Sequence, residues 1–149
     1  MAEQDGGSIV LEGHCGGEKL AELYRNAAFV VVPSEWYENA PMSILESFAY
    51  GKPVIGTRIG GIPELINEGD HGYLVDPEAP AQLRSTIQKL WNDRGAQSTM
   101  GRKARLLVET KFAQSTRTAS LLRIYERMCR SHSAAPVSSS ELLEHSSAK

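Results

Sequence analysis

Residues 30–64 have the sequence VVVPSEWYENAPMSILESFAYGKPVIGTRIGGIPE, which contains the clearest strand and helix patterns of the chain. Its opening apolar run and the run PVIG at residues 53–56 lack polar alternation, which favours strands buried on both faces of a parallel sheet. Between them the sequence predicts a polar loop and a helix over residues 42–50, which stops at Gly51-Lys52-Pro53. A helix between two such strands is a crossover connection. The stretch therefore predicts an α/β fold.

The flanking sequence continues this alternation. Upstream, the patterns predict a strand at Ser8–Glu12, an amphipathic helix at Glu18–Ala27, and a buried strand at Phe29–Val32. Downstream they predict a short helical turn, a weak strand at Tyr73–Val75, and helices over residues 81–93, 98–111 and 115–130. We interpret the apolar stripes of these helices as core, namely Leu83, Ile87, Leu90 and Trp91 in the first and Leu121, Leu122, Ile124, Tyr125 and Met128 in the last. Residues 1–130 are thus predicted to form one domain, followed by a disordered Ser/Ala-rich tail at 131–149.

Composition excludes several classes of protein. Sixteen Lys and Arg against eighteen Asp and Glu give a net charge of -2, which argues against a nucleic-acid binder because that function needs clustered positive charge. No apolar run approaches the roughly 18–20 residues of a membrane helix, and MAEQDGGSIV lacks the features of a signal peptide. We expect a cytoplasmic protein. Cys15 and Cys129 have no Cys-x-x-Cys partner, so neither a disulfide framework nor a metal site is predicted.

Polar groups are expected to converge where the two central strands end. Open α/β sheets bind ligands at the carboxyl edge of their strands, and the loops after Val32 and Gly56 open there. A helix starting near residues 40–43 would direct unpaired N–H groups and the positive end of its dipole into that crevice, which suits a phosphate or diphosphate. Carboxylates repel phosphate but accept hydrogen bonds from vicinal hydroxyls. Glu38 and Glu46 could therefore hold a sugar and a ribose on either side of an anion.

Both glutamates also have interpretations without a ligand. Ser43-x-x-Glu46 is a capping-box pattern, in which Glu46 would bond only to the Ser43 backbone. Pro41 complicates that alternative, because proline at the first helical position would place Ser43 inside the helix. Glu38 could be an ordinary surface glutamate.

The remaining residues of the stretch leave similar alternatives. We expect Trp36 and Tyr37 to pack beneath their loop rather than stack on a ligand. Gly60 and Gly61 either let the backbone approach a ligand closely or only form a turn. Arg58 could meet a phosphate, although a lone loop arginine is more often solvated. His71 is expected to lie on the surface.

Taken together, residues 33–66, PSEWYENAPMSILESFAYGKPVIGTRIGGIPELI, followed by GYLVDP, resemble the C-terminal donor-binding domain of the group 1 glycosyltransferases, which are retaining enzymes of the two-domain GT-B fold. The pattern is Pro-Ser, then Glu38 and Glu46 with seven residues between them, then Gly-x-Pro-Val and Gly-Gly-x-Pro-Glu. The resemblance covers about residues 8–128. It implies a partial Rossmann-like, doubly wound parallel sheet, the C-terminal half of that domain, followed by helices. Residues 1–130 would then bind a nucleotide sugar.

The resemblance also implies roles for individual residues. They are Glu38 and Asn39 at the donor sugar, Met42, Ser43 and Ile44 at the diphosphate, Glu46 at the ribose, and Gly60 and Gly61 as a candidate donor loop. The donor would be a UDP- or GDP-sugar, transferred to an unknown acceptor with retention and without a cofactor or a metal. Many members have Glu-Gly-Phe-Gly where this chain has Glu38-Asn39-Ala40-Pro41, and Pro41 cannot donate a backbone hydrogen bond.

The resemblance begins near the third strand of the family domain. It implies that the acceptor-binding N-terminal domain and two strands are missing here or are supplied by a separate chain. In the strand order 3-2-1-4-5-6 those strands would lie between residues 8–12 and 29–32, leaving a gap or an exposed apolar edge. We therefore expect a glycosyltransferase fragment that is inactive and only marginally folded alone. The alternative is a non-catalytic nucleotide-sugar-binding subunit, or an inactive truncated product, that needs a partner chain.

Overall fold

The computed structural model describes residues 9–133 and has the predicted alternation of strands and helices. Its elements in chain order are α1 (Gly17–Asn26), β1 (Val30–Val32), α2 (Met42–Ala49), β2 (Val54–Thr57), α3 (Ile62–Leu65), β3 (Gly72–Val75), α4 (Pro80–Asn92), α5 (Arg94–Lys111) and α6 (Gln114–Ser133). The α/β fold class is confirmed. None of the helices in this part of the chain is both long enough and apolar enough to span a membrane.

The three strands form one parallel sheet in the order β1-β2-β3. Ile55 of β2 pairs with Val31 on one side and with Tyr73 on the other. All four residues of β2 are buried, as its unbroken apolar pattern predicts, whereas β1 is only half-buried. The prediction that β1 is buried on both faces is therefore wrong, because β1 is an edge strand of the described sheet and β2 is the central one.

Apolar side chains of the sheet and the helices form the core. One cluster joins Ile55 and Val75 of the sheet to Leu90 of α4 and Met100 of α5. Helix α2 buries the face that carries Ile44, Leu45, Ser47 and Phe48. Burying each large apolar side chain stabilises the fold by about 1.5–3 kcal/mol. The sheet, α2, α4 and α5 therefore form a framework that can fix the loops at the strand ends.

Helix α5 packs closely against the turn after α2. The Gly51 amide donates to the Phe48 carbonyl at 2.9 Å, and the Ser47 hydroxyl donates to the Lys52 carbonyl at 3.0 Å. A Cβ at Gly101 of α5 would overlap the Gly51 carbonyl oxygen. A glycine is thus required at position 101 for the helix to pack against this turn.

The predicted strand at residues 8–12 is not formed in its described part. Residues 9–12 are irregular, and Ile9, Val10 and Leu11 are 51–80% exposed. A strand is stabilised by hydrogen bonds to a neighbouring strand, and in the described sheet β1 pairs with β2 alone. An apolar run without such a neighbour does not become a strand.

The chain divides into two compact units, Met1–Glu109 and Thr110–Lys149, and α6 belongs to the second. The interpretation of its apolar stripe as core is wrong, because Leu121, Leu122, Ile124, Tyr125 and Met128 are 49–60% exposed. Trp91 of α4 is also exposed, with its ring edge-on to Phe29 at 6.4 Å. Helix α6 continues to Ser133, and the rest of the predicted tail, 134–149, lies outside the described residues.

Replacing Gly101 by alanine tests the contact between α5 and the Gly51 turn. We expect Gly101→Ala to lower the free energy of unfolding by about 1–3 kcal/mol, because backbone must move to admit the methyl group. Gly95→Ala on the same helix is the matched control: its Cβ would have only an ordinary contact with the Asp93 side chain. Urea denaturation followed by circular dichroism measures both. Equal midpoints for the two variants would contradict the packing.

Candidate functional site

The loops that follow β1 and β2 are joined to each other at the carboxyl edge of the sheet. The Gly61 amide donates to the Glu38 carbonyl at 2.7 Å, and the Thr57 hydroxyl donates to the Ser34 carbonyl at 2.6 Å. The Arg58 amide donates to the carbonyl of Val75, the last residue of β3, at 2.7 Å. The structure therefore brings together the two loops in which the sequence placed its candidate donor residues.

Gly60 and Gly61 have no room for a side chain where they meet the first loop. A Cβ at Gly60 would overlap the Glu38 backbone, and a Cβ at Gly61 would overlap the Asn39 carbonyl. Gly60 also has a φ of +56°, in the left-handed region that favours glycine. Gly60 and Gly61 thus form a turn and also allow a close backbone approach. The backbone that they approach is that of Glu38 and Asn39.

Helix α2 begins directly after Pro41, at the end of the loop that carries Glu38. Pro41 is the N-cap and provides no side-chain hydrogen bond, while Ser43 is the second helical residue. Ser43 is therefore not the N-cap that a capping box requires. Met42 and Ser43 lie in the first turn, where amides have no intrahelical acceptor. Ile44 differs, because its amide donates to the Pro41 carbonyl at 3.1 Å and its side chain is fully buried.

Glu46 is held by a residue of another helix. The Tyr24 hydroxyl of α1 donates to Glu46 Oε2 at 3.1 Å and lies 3.4 Å from the Ser43 carbonyl oxygen. Tyr24 is only 8% exposed, and its ring stacks on Tyr50 with centroids 5.4 Å apart and planes 8° from parallel. The amphipathic pattern of Glu18–Ala27 predicts only that Tyr24 lies on the apolar side of its helix, with Leu20 and Leu23. The missed signal is its hydroxyl, which needs a hydrogen-bond partner once the ring is buried.

The protonation of Tyr24 fixes the direction of this hydrogen bond. Burial of the phenol, followed by the hydrogen bond to Glu46 and the negative charge of Glu46, raises the pKa of Tyr24 to about 12. A tyrosine with this pKa is protonated at neutral pH and donates its proton to the carboxylate. Glu46 is therefore the acceptor, with its other oxygen not engaged by Tyr24.

Glu38 is held mainly through its backbone. Its amide donates to the Trp36 carbonyl at 2.8 Å, and its half-buried side chain accepts a long hydrogen bond of 3.5 Å from the Ser34 hydroxyl. Trp36 and Tyr37 are 80% and 87% exposed, so the prediction that they pack beneath the loop is wrong. Backbone and hydroxyl hydrogen bonds hold this loop, and the two aromatic rings remain at its surface.

Two further polar residues have definite partners. Arg58 forms ion pairs with Glu68 at 3.2 Å and Asp76 at 3.6 Å. His71 is only 7% exposed, lies 5.7 Å from the Phe48 ring and accepts a hydrogen bond from the Asn67 amide. The prediction of a surface histidine is wrong, because this side chain fills space beneath α2. Among residues 9–133, no three His, Cys, Asp or Glu side chains are grouped as metal ligands.

Residues 6–107 match the sequence model of the family described as glycosyl transferases group 1. The chain belongs to this family. The uncharacterized glycosyltransferase MJ1178 of Methanocaldococcus jannaschii is 31% identical over 120 residues, which cover 80% of this chain and 34% of that protein.

Solved structures agree with the family. Sucrose-phosphate synthase from Thermosynechococcus elongatus superimposes with a TM-score of 0.67 at 28% identity, covering 76% of this chain and 28% of the synthase. The C-terminal domain of LpcC, a glycosyl transferase group 1 family protein from Francisella tularensis, has a TM-score of 0.61 at 27% identity, over 68% of this chain and 52% of that domain. The predicted likeness to the C-terminal domain of GT-B glycosyltransferases is confirmed. The chain spans about a third of the length of the curated relative.

A methyl group at position 61 tests whether the two loops depend on their backbone contact. We expect Gly61→Ala to destabilise the fold by about 1–3 kcal/mol, because the methyl group would displace the Asn39 carbonyl. Gly16→Ala is the control, since a Cβ there meets nothing within 4 Å. Thermal denaturation compares the variants. A Gly61→Ala protein as stable as Gly16→Ala would show that the loops are not in contact.

The raised pKa of Tyr24 predicts a pH dependence of stability. The folded-state pKa of about 12 exceeds the ordinary value of 10.0, so folding favours the protonated phenol. This contribution is fully present below pH 10 and is lost as the pH rises towards 12. We expect the urea midpoint of the wild-type chain to fall in that range more steeply than that of Tyr24→Phe. Parallel curves would contradict a raised pKa.

Proposed function

We propose that this chain carries the donor-binding part of a glycosyltransferase that transfers a sugar from a UDP- or GDP-sugar to an acceptor hydroxyl, with retention at the anomeric carbon. Membership of the group 1 family supports the reaction class. The observation that carries the proposal is the carboxylate of Glu46 in α2, which is held by Tyr24 one turn after the helix start that follows the loop of Glu38. The acceptor-binding part of the enzyme would come from another domain or a separate chain.

The diphosphate of the donor would lie at the N-terminus of α2. The amides of Met42 and Ser43 and the positive end of the helix dipole favour negative charge there. The amide of Ile44 already donates to the Pro41 carbonyl. Ile44 would therefore contribute only by anchoring the first turn of α2 through its buried side chain. Pro41 itself offers no amide. The anion would thus be held by two backbone donors and the dipole.

The two glutamates would hold the hydroxyl groups on either side of that anion. Glu46 would accept hydrogen bonds from the ribose, and Glu38 with Asn39 would accept them from the donor sugar, because carboxylates pair well with vicinal hydroxyls. Gly60 and Gly61 would act indirectly, by letting the second loop support the backbone of Glu38 and Asn39.

Catalysis would depend on stabilising the negative charge that develops on the departing diphosphate. The bond between the anomeric carbon and the diphosphate oxygen would break with its electron pair left on that oxygen, and the carbon would form a new bond to the acceptor oxygen on the same face. The proton of the acceptor hydroxyl would pass to the departing diphosphate. Donors and a dipole aimed at the leaving oxygen atoms stabilise this charge more in the transition state than in the bound donor. In this proposal neither a metal nor a cofactor takes part.

Isosteric glutamine variants test the two carboxylates separately. We expect Glu46→Gln to weaken UDP and UDP-glucose about equally, by roughly 10-fold or more, because a hydrogen bond to a charged acceptor is lost. Glu38→Gln should leave UDP binding unchanged and weaken UDP-glucose. Isothermal titration calorimetry measures the dissociation constants, with GDP and GDP-mannose as the parallel pair.

Glu35→Gln is the matched control, because Glu35 is an exposed glutamate of the same loop. It should bind every nucleotide as the wild-type chain does. Wild-type affinity of Glu46→Gln for both UDP and GDP would exclude the ribose role and, with it, the proposed site.

A further inference from the structure

Tyr24 of α1 contacts a residue of the proposed donor site. It is buried, it lies 22 residues before Glu46 in the sequence, and its hydroxyl donates to Glu46 Oε2 at 3.1 Å. Its two neighbours in α1 have other surroundings: Leu23 is exposed, and Arg25 pairs with Glu18. A helix outside the recognised glutamate pattern thus contacts a residue of that pattern.

The contact restricts the carboxylate without occupying all of it. An ionised carboxylate has two oxygens and about four lone-pair positions. Tyr24 uses one position on Oε2 and leaves Oε1 available to the hydroxyls of a ligand. A free glutamate has several rotamers, and ordering it on binding costs affinity. A carboxylate already held by a buried phenol loses less on binding.

We propose that Tyr24 is a positioning residue that orients Glu46 to accept the ribose hydroxyls of the nucleotide donor. This inference rests on the proposed function, because it needs the ribose at Glu46. The stack of Tyr24 on Tyr50 fixes the plane of the phenol, and the second contact with the Ser43 carbonyl keeps its hydroxyl over the first turn of α2. The high pKa of Tyr24 keeps the phenol a donor at neutral pH.

A packing role alone makes a different prediction. If Tyr24 only fills space between α1 and α2, Tyr24→Phe keeps the ring and the stack and changes the binding of every nucleotide equally or not at all. If Tyr24 orients Glu46, its loss affects only ligands that carry the ribose hydroxyls. The preference for UDP over 2′,3′-dideoxy-UDP, expressed as a ratio of dissociation constants, separates the two.

The experiment measures this ratio by calorimetry for the 149-residue chain and four variants. In Tyr24→Phe we expect the dissociation constant of UDP to rise roughly 3- to 10-fold, as for the loss of one hydrogen bond, while that of dideoxy-UDP is unchanged. The ratio then falls by the same factor. Tyr50→Phe is the matched control, because it keeps the stacked ring pair and should keep the wild-type ratio. Tyr24→Leu, which suits the apolar side of α1, should repeat the result of Tyr24→Phe.

Two outcomes overturn the inference in distinguishable ways. Glu46→Ala is expected to bring the ratio close to one, and a wild-type ratio in that variant would overturn the proposed function together with the role of Tyr24. A lowered ratio in Glu46→Ala with a wild-type ratio in both Tyr24 variants would overturn the role of Tyr24 alone. Because the ratio is taken within each variant, partial unfolding changes both dissociation constants by the same factor and leaves the ratio unchanged. Circular dichroism confirms that the variants fold.

Discussion

The backbone contact between Gly60-Gly61 and Glu38-Asn39 is the constraint on which the rest of the site depends. It joins the loop after β2 to the loop after β1 through the hydrogen bond from the Gly61 amide to the Glu38 carbonyl, at 2.7 Å. Because both loops start from paired parallel strands, the register of the sheet determines where they meet. The path from the first loop into α2 is restricted, because the ring of Pro41 fixes its φ and the helix begins at the next residue.

The site balances opposite charges over a short length of chain. Two glutamates lie on either side of a helix start that favours anions, and a carboxylate near that start would by itself compete with a phosphate. Tyr24 reduces this conflict because its hydroxyl donates to Glu46 and so stabilises the negative charge of that carboxylate. Arg58, the nearest arginine in the second loop, is engaged by Glu68 and Asp76. Under the proposed function, an anion would therefore be held mainly by backbone groups.

Local patterns predicted the elements that depend on local forces. The apolar run of β2, the stop at Gly51-Lys52-Pro53 and the glutamate spacing are all visible within one stretch, and the structure has the expected strand, helix and loops there. Much of the rest depends on tertiary contacts that no local pattern shows. Tyr24 contacts Glu46, 22 residues further along the chain, and His71, which the sequence predicts at the surface, is buried against Phe48. The apolar stripe of α6 has helical periodicity whether or not other residues cover it, so periodicity alone could not reveal its exposure.

The two glutamates differ in how firmly they are held, and this difference bears on specificity. Glu46 lies within a helix and accepts from a buried, stacked tyrosine, whereas the side chain of Glu38 has a long contact with Ser34 in a loop whose aromatic residues are exposed. A preorganised group loses less entropy on binding and tolerates less variation in its ligand. Under the proposed function, the ribose, which UDP- and GDP-sugars share, would meet the carboxylate that is held more firmly. The sugar, which varies among donors, meets the adaptable one, so a change of donor would require changes in the first loop and not in α2.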